Sequence, residues 1–599
     1  LVLFFALIPA FVIPACARSE NDSSVGVDAG GISDPPSFVI DSGRTESSSC
    51  VKCSADLHAV LDCTTDKVIR ECADTEGCGP GGTCVAPCES ARFNKSSVGC
   101  DYYAVTPDAY SNIPELGVSI SDFSDGSCFA AFVSNTWSSP VRVSLEWEGQ
   151  TIPAGPHAYL PKGSGASLTY QPVPNGEIPP GQMAIVFLAS FGTAGLYKPL
   201  CPKGTTPAIT SVDTGQHGTG VGNAIRILTT APTVVYDIYP YGGAKSYVTG
   251  ATLLLPTSAW DTNYIGVTTW KPISIPLATL TVPAAITIVA EQDSTQVTIA
   301  PTNAIAARGL VQGTPKGVPM QYTLNKGQLL HLMQKEDLTG STIQSNFPVG
   351  VWGQHYAVRI PDGTNATDAS HQQIPPVKAL GGEYVAVRYR TRIATEESVP
   401  WRLVGAVDGT ALTYDPPQTG SPKSLARGEL VVFDAPGPFV VKSQDDAHPF
   451  YMSAHMTGGG LTASGFTNDG MGDPETVNVI PPQQYLSKYV FFTDPTYGET
   501  NTVFVRKKGP NGFADVNLDC AGVLSGWKPV GQSDYEYTRV DLQTKQAKVG
   551  ACDNGRHEAS SNAPFGLTVW GWDAYVSYAY PAGASVKPIN TVIVSPSPK

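Results

Sequence analysis

Leu255-Pro256-Thr-Ser-Ala-Trp260-Asp-Thr-Asn-Tyr264-Ile-Gly-Val267 opens a pattern that this chain repeats. Ile374-Pro-Pro376 through Leu380-Gly-Gly-Glu-Tyr384-Val-Ala-Val387 aligns with it, as does Ile480-Pro-Pro482 through Leu486-Ser-Lys-Tyr489-Val490. After each copy comes a pair of β-patterned runs, then a strand ending near a proline: Ile343-Gln-Ser-Asn-Phe-Pro348-Val-Gly-Val351, Val441-Lys-Ser-Gln-Asp-Asp-Ala-His-Pro449-Phe-Tyr-Met452, and Ala559-Ser-Ser-Asn-Ala-Pro564-Phe-Gly-Leu567. A first, divergent unit finishes with Leu228-Thr-Thr-Ala-Pro232-Thr-Val-Val235. Self-similarity at a period of roughly 100–120 residues is the mark of a repeat architecture.

Inside the repeats Val, Ile, Thr, Tyr and Phe alternate with polar residues between Gly, Pro, Asn and Asp, which reads as short strands. Residues 286–290 and 295–299 around a turn predict one hairpin. Residues 401–407 and 410–414 around Asp408-Gly409 predict another, since Asp-Gly suits turns that need φ > 0 at both positions. No long amphipathic helix is evident after residue 101. The chain therefore reads as all-β: tandem β-sandwich-like units, because a propeller blade needs only ~40–50 residues. A β-propeller with two blades per unit is the alternative. The units fall at 101–250, 251–372, 373–478 and 479–583, with 584–599 as a flexible tail.

Outward from the repeats, residues 1–15 are almost wholly apolar, the right length for a signal-peptide h-region and too short for a bilayer-spanning helix. Ile13-Pro14-Ala15-Cys16 resembles a lipobox, so Cys16 is the expected lipidated residue of a lipoprotein; a signal for free secretion and an uncleaved anchor are the other readings. Residues 17–49, rich in Ser, Asp and Gly, read as a disordered tether. Cys50, Cys53, Cys63, Cys72, Cys78, Cys84, Cys88 and Cys100 crowd a segment, 50–100, that is short of large apolar side chains. Such a segment cannot build a sufficient core, and in an oxidising compartment disulfides supply the constraint. The spacing of Cys50 with Cys53 and of Cys84 with Cys88 also suits zinc. Cys128 with Cys201 and Cys520 with Cys552 are plausible staples in the β region.

Charged residues are only 15% of the chain and its formal charge is −14, so there is no basic field to displace counterions from phosphates. Nucleic acid is excluded as a default partner. Ala251-Thr-Leu-Leu-Leu-Pro256, His371-Gln-Gln-Ile-Pro-Pro376, Gly472-Asp-Pro-Glu-Thr-Val-Asn-Val-Ile-Pro-Pro482, Cys128-Phe-Ala-Ala-Phe-Val-Ser-Asn135 and Pro564-Phe-Gly-Leu-Thr-Val-Trp-Gly-Trp-Asp573 resemble the IgGFc-binding protein N-terminal domain family. The Cys-rich prefix is similar to that of bacterial surface lipoproteins carrying this domain. The resemblance implies an extracellular binding or adhesion module, with no residue-level binding site to carry across and no implication that this chain binds antibody.

Among chemical motifs, Gly218-Thr-Gly-Val-Gly222 precedes a strand rather than the helix a dinucleotide fingerprint requires, and His557-Glu558 lacks the second histidine of a zinc protease. One constellation stands out: His355 and His455 hold equivalent places after the proline-ending strands, and Asp368 and His371 sit between them. Imidazole with carboxylate suits a divalent metal ion, but the preferred reading is that each histidine caps a strand end or satisfies backbone groups at the junction, with no cofactor expected. Trp260, Trp270, Trp352, Trp401, Trp570 and Trp572 could be core or glycan-stacking surface. The expectation is an exported, lipid-anchored adhesion protein of the bacterial envelope, at the outer membrane or cell surface, with a glycan or protein ligand and no enzymatic activity. The alternative is an exported metal-dependent hydrolase at the junction of the second and third units.

Overall fold

Proline decides where each repeat folds over. It cannot donate to a ladder, so a long strand carrying one must change partners there. The computed structural model describes residues 50–599 except 112–123, 164–166, 244–245, 276–279, 363, 365–366, 394, 460–469 and 597–599. The signal, Cys16 and the tether lie outside the described residues. In three units the strand that sequence ends at its proline runs straight on: Ile225–Tyr239, Thr342–Val358 and Gly555–Asp573. Only the third unit breaks it, into Phe439–Ser443 and Phe450–Met456.

The first half of Thr342–Val358 pairs with Asp261–Ile265 and Thr295–Ala300, and its second half pairs with Ala284–Ala290 and Asp368–Ile374. The same pairing recurs in the other units. Val98–Ala104, Glu383–Ala386 and Leu486–Thr493 take the place of Asp261–Ile265, and Gly250–Leu254, Glu475–Asn478 and Val576–Pro581 that of Asp368–Ile374. Two antiparallel sheets thus share one strand and close on a common core, in the second unit around Ile286, Ile288, Val297, Ile343 and Val351. That is a sandwich.

Both expected hairpins are corrected. Ala284–Ala290 pairs with Gln328–Gln334 and the long strand, whereas Thr295–Ala300 pairs with Met320–Leu324 and the other half of that strand. Val399–Gly405 and Thr410–Asp415 part in the same way. The tight turns therefore join facing sheets, which alternation and turn residues alone do not distinguish from pairing within one sheet.

The recurring tyrosine has a specific task. Tyr264 donates its hydroxyl to the Val349 carbonyl at 2.7 Å and accepts from the Asp261 N–H at 3.1 Å. Tyr384 does the same with Phe450 and Gly381, and Tyr489 with Phe565 and Leu486. In each case the carbonyl belongs to the residue directly after the switch proline. The divergent first unit uses Tyr102, whose hydroxyl reaches the carbonyl of Thr233, after Pro232, at 2.6 Å. A carbonyl stranded where the chain leaves one sheet for the next is thereby satisfied inside the core.

The last strand of each unit turns inward. Gly250–Leu254, Asp368–Ile374, Glu475–Asn478 and Val576–Pro581 pack against one another in a closed ring. After three of them the chain makes a one-turn 3-10 helix, Thr257–Ala259, Val377–Ala379 or Pro482–Gln484, and starts the next unit. Cores run on across the borders: Phe132 meets Phe492 at 4.5 Å, and Val503, Trp570 and Trp572 pack with Tyr384 and Trp401. The tail is not loose. Asn590 donates to the Val377 and Leu380 carbonyls and Val594 to Asn263, pinning residues 584–596 across the second and third units.

In residues 50–100 the cysteines form disulfides, Cys50–Cys63, Cys53–Cys78, Cys72–Cys84 and Cys88–Cys100, so the zinc reading is set aside. Cys128 bonds Cys201, and Cys520 bonds Cys552.

Candidate functional site

The ring of inner strands is a buried polar hub. Its members form no shared ladder, so side chains stitch them together: Gln372 donates to the Ala251 and Ala579 carbonyls, Asn478 to the Gln373 carbonyl, Ser370 to Glu475, and the Ser577 N–H to Asp368. Burial pushes Asp368 well above the carboxylate range, and Asp473 and Glu475 push it further. Burial likewise raises Glu475 strongly, and Asp473 to about 8.

All four metal candidates lie in or beside this hub, each almost fully buried. The structure does not gather them into one coordination sphere. His371 Nε2 meets Asp237 Oδ1 at 2.7 Å. His355 Nδ1 accepts from the Ala357 N–H, and its Nε2 lies 3.1 Å from the Lys271 carbonyl. His455 lies between Ser453 and Thr476, and Asp368 faces Ser577 and its acidic neighbours. Burial lowers the His355 pKa to about 3 and drives that of His455 well below the ordinary value. Equivalent sequence positions in consecutive units thus became equivalent structural positions, on the long strand Thr342–Val358 and on Phe450–Met456, each histidine satisfied by its own local partners. His355 and His371, expected at the alternative hydrolase site, are both almost fully buried.

Open space lies between units. A cleft of about 440 Å³ separates the second and third, lined by Thr302, Asn303, Lys316, Asp337, Thr339 and Glu429 among others. Its floor is a contact of two backbones: a Cβ on Gly340 would lie 2.0 Å from the Gly428 carbonyl, and both glycines have positive φ. Behind it the buried Arg402 guanidinium lies 3.7 Å from Asp337 and covers the Trp270 ring, which packs edge-on against His455. The cleft therefore connects through packed side chains to the hub. Between the first and fourth units two hollows of about 270 and 280 Å³ share Gly181 and Arg556. His58, from the disulfide-rich segment, stacks on Trp137 at 4.1 Å along that second groove. All six tryptophans named from sequence are buried, so none offers a stacking face; the exposed aromatic rings include Phe191, Tyr247 and Tyr575.

Clefts at unit junctions are where ligands commonly bind. The family described as IgGFc binding protein matches residues 250–571, over half of the chain and all of the second-to-third cleft. The chain belongs to the IgGFc-binding protein family. The human IgGFc-binding protein is 24% identical over 272 residues, 44% of this chain, and this stretch is 4% of the human protein's length. No solved structure matches the chain. Family membership points to a binding protein. The clefts could not be foreseen from sequence, because each is made by loops of two different units.

Proposed function

We propose that the protein is an exported binding protein that captures a protein segment in the cleft between its second and third units. The observation that carries this reading is that the cleft lies wholly within the stretch shared with the IgGFc-binding family. Lys316, Asp337 and Glu429 offer charges of both signs, while Thr302, Asn303 and Thr339 offer hydrogen bonds, a mixture suited to a polypeptide. The disulfides support maturation in an oxidising compartment. Lipidation at Cys16, a cell-surface location and adhesion to glycoproteins complete the proposal. Surface plasmon resonance of the chain against the IgG Fc fragment, mucin glycoproteins and their deglycosylated forms tests it. Binding that survives deglycosylation and weakens at least tenfold in Lys316→Glu supports a protein ligand in this cleft. Binding lost on deglycosylation, or unchanged in that variant, overturns it.

A further inference from the structure

A second cluster of metal-binding side chains lies in the first unit, and its members do not line the clefts described above. His217 presents both ring nitrogens to carboxylates: Nδ1 is 2.9 Å from Asp108 Oδ1, and Nε2 is 3.1 Å from Asp213 Oδ2. Asp125 completes the group, each of Asp125, Asp213 and His217 offering one ligand atom within 4.8 Å of the others. Around a tetrahedral ion with ligands at ~2.0–2.1 Å, neighbouring ligand atoms stand roughly 3.3 Å apart. The Asp213–His217 separation fits that spacing.

We propose that Asp125, Asp213 and His217 bind one divalent ion of the zinc class, with Asp108 as the carboxylate that orients the histidine. The arrangement behind the ligands favours this reading. Asp108 is buried, accepts the Gly218 N–H at 2.6 Å, and receives the His217 Nδ1–H, which leaves Nε2 as the ligand nitrogen; a carboxylate holding the far side of a ligating imidazole is the usual outer layer of a zinc site. An independent observation points to the same place. His331, 2% exposed, turns an Nε2 with no hydrogen-bond partner toward Asp108 Oδ2 at 3.6 Å, a second imidazole aimed at the carboxylate that would support the metal. One imidazole with two carboxylates suits zinc or a neighbouring transition ion better than calcium, which prefers an all-oxygen shell. The three ligands also leave a coordination position for water or a ligand group. The strand Gly220–Asn223, pairing with Gln328–Gln334, fixes the segment that carries Asp213 and His217 to the second unit, so a bound ion would brace that junction.

Isothermal titration of the chain with Zn2+, followed by Co2+ titration read by visible absorption, tests the proposal. The expected result is one site per chain, with cobalt bands of a four- or five-coordinate ion. Affinity should fall at least tenfold in Asp213→Asn and about 10–100-fold in Asp108→Asn, which touches only the second layer. His557→Gln, altering a separate Asp519–Cys520–His557 group whose cysteine is in a disulfide, should leave the site intact. Asp213, partly exposed, is the variant that decides the matter if Asp108→Asn does not fold. No stoichiometric zinc, equal binding by wild type and Asp213→Asn, or tighter binding of Ca2+ than of Zn2+ would each overturn it.

Discussion

The disulfide-rich segment and the sandwich units hold awkward chain in place by opposite means. In residues 50–100 the strands are short, and one of them, Val68–Glu71, is exposed along its whole length, so four cross-links do what burial cannot. In the sandwiches a proline breaks a long strand's ladder, and a tyrosine from the next sheet position takes the stranded carbonyl. A cross-link acts mainly by restricting the unfolded chain and needs no core. The tyrosine works only inside a core, where an unsatisfied carbonyl is costly. Two neighbouring parts of one body should therefore fail in different ways.

The largest separation comes from the core. Trp401 is fully buried and packs edge-on against Phe439, so Trp401→Ala should cost about 3–5 kcal/mol. Urea unfolding followed by tryptophan fluorescence should show the sandwiches losing that stability. Protease resistance of residues 50–100 should persist, and its parallel loss would break the comparison.

Next, Cys53→Ser with Cys78→Ser opens a loop spanning a sequence separation of 25 residues and should cost about 2–4 kcal/mol. The effect should appear as local proteolysis near Cys53, with the urea midpoint of the sandwiches almost unmoved. A smaller effect belongs to Tyr264→Phe, which strands the Val349 carbonyl and the Asp261 N–H for about 1–3 kcal/mol. Tyr384→Phe in the third unit, where the long strand is already broken, tests whether that continuity matters. Equal losses would show that the hydroxyl, not the unbroken strand, holds the switch.

How far sequence carried can be judged at these same residues. Repetition of the Pro-containing runs and of Tyr264, Tyr384 and Tyr489 made the units visible, since each unit needs the same device at the same place. The partner of each strand was not visible. A tight turn between two alternating runs looks the same whether it joins one sheet or two, so the pattern predicts a hairpin at both places where the strands in fact belong to facing sheets. The hub shows the same limit on the chemistry: His355 and His455 are equivalent along the chain, yet each is held by its own local partners, His355 by Ala357 and Lys271 and His455 by Ser453 and Thr476. The Asp108–His217 group carries no sequence signature, because its carboxylates lie 109 and 4 residues from the histidine, with no spacing rule to join them.

The hub is the region that neither device reaches. Among the described residues no disulfide crosses it, and its carboxylates exchange hydrogen bonds with Ser370, Thr476 and Ser577. Arg392 is a guanidinium near Asp473, and it is paired to Glu397 at 2.7 Å; Arg402 faces the histidine side of the hub over Trp270. Asp473, raised to about 8 by burial, binds its proton more tightly folded than unfolded, where an ordinary carboxylate titrates near ~4. Its contribution is therefore fully present below about pH 4 and is lost as pH rises toward 8, at up to about 1.4 kcal/mol per pH unit. Asp368 and Glu475 shift in the same direction. The neutral His355 and His455 act oppositely, since their folded pKa values lie below ~6.5 and stability is lost as pH falls beneath it. Asp473→Asn keeps the acceptor for the Gly459 N–H and removes the charge, so its melting temperature should match wild type near pH 4 and exceed it by a few degrees near pH 8. A wild-type melting temperature that rises from pH 6.5 to 8, or an Asn variant with the same slope, would mean that Asp473 stays ionised in the fold and that the hub holds a countercharge of its own.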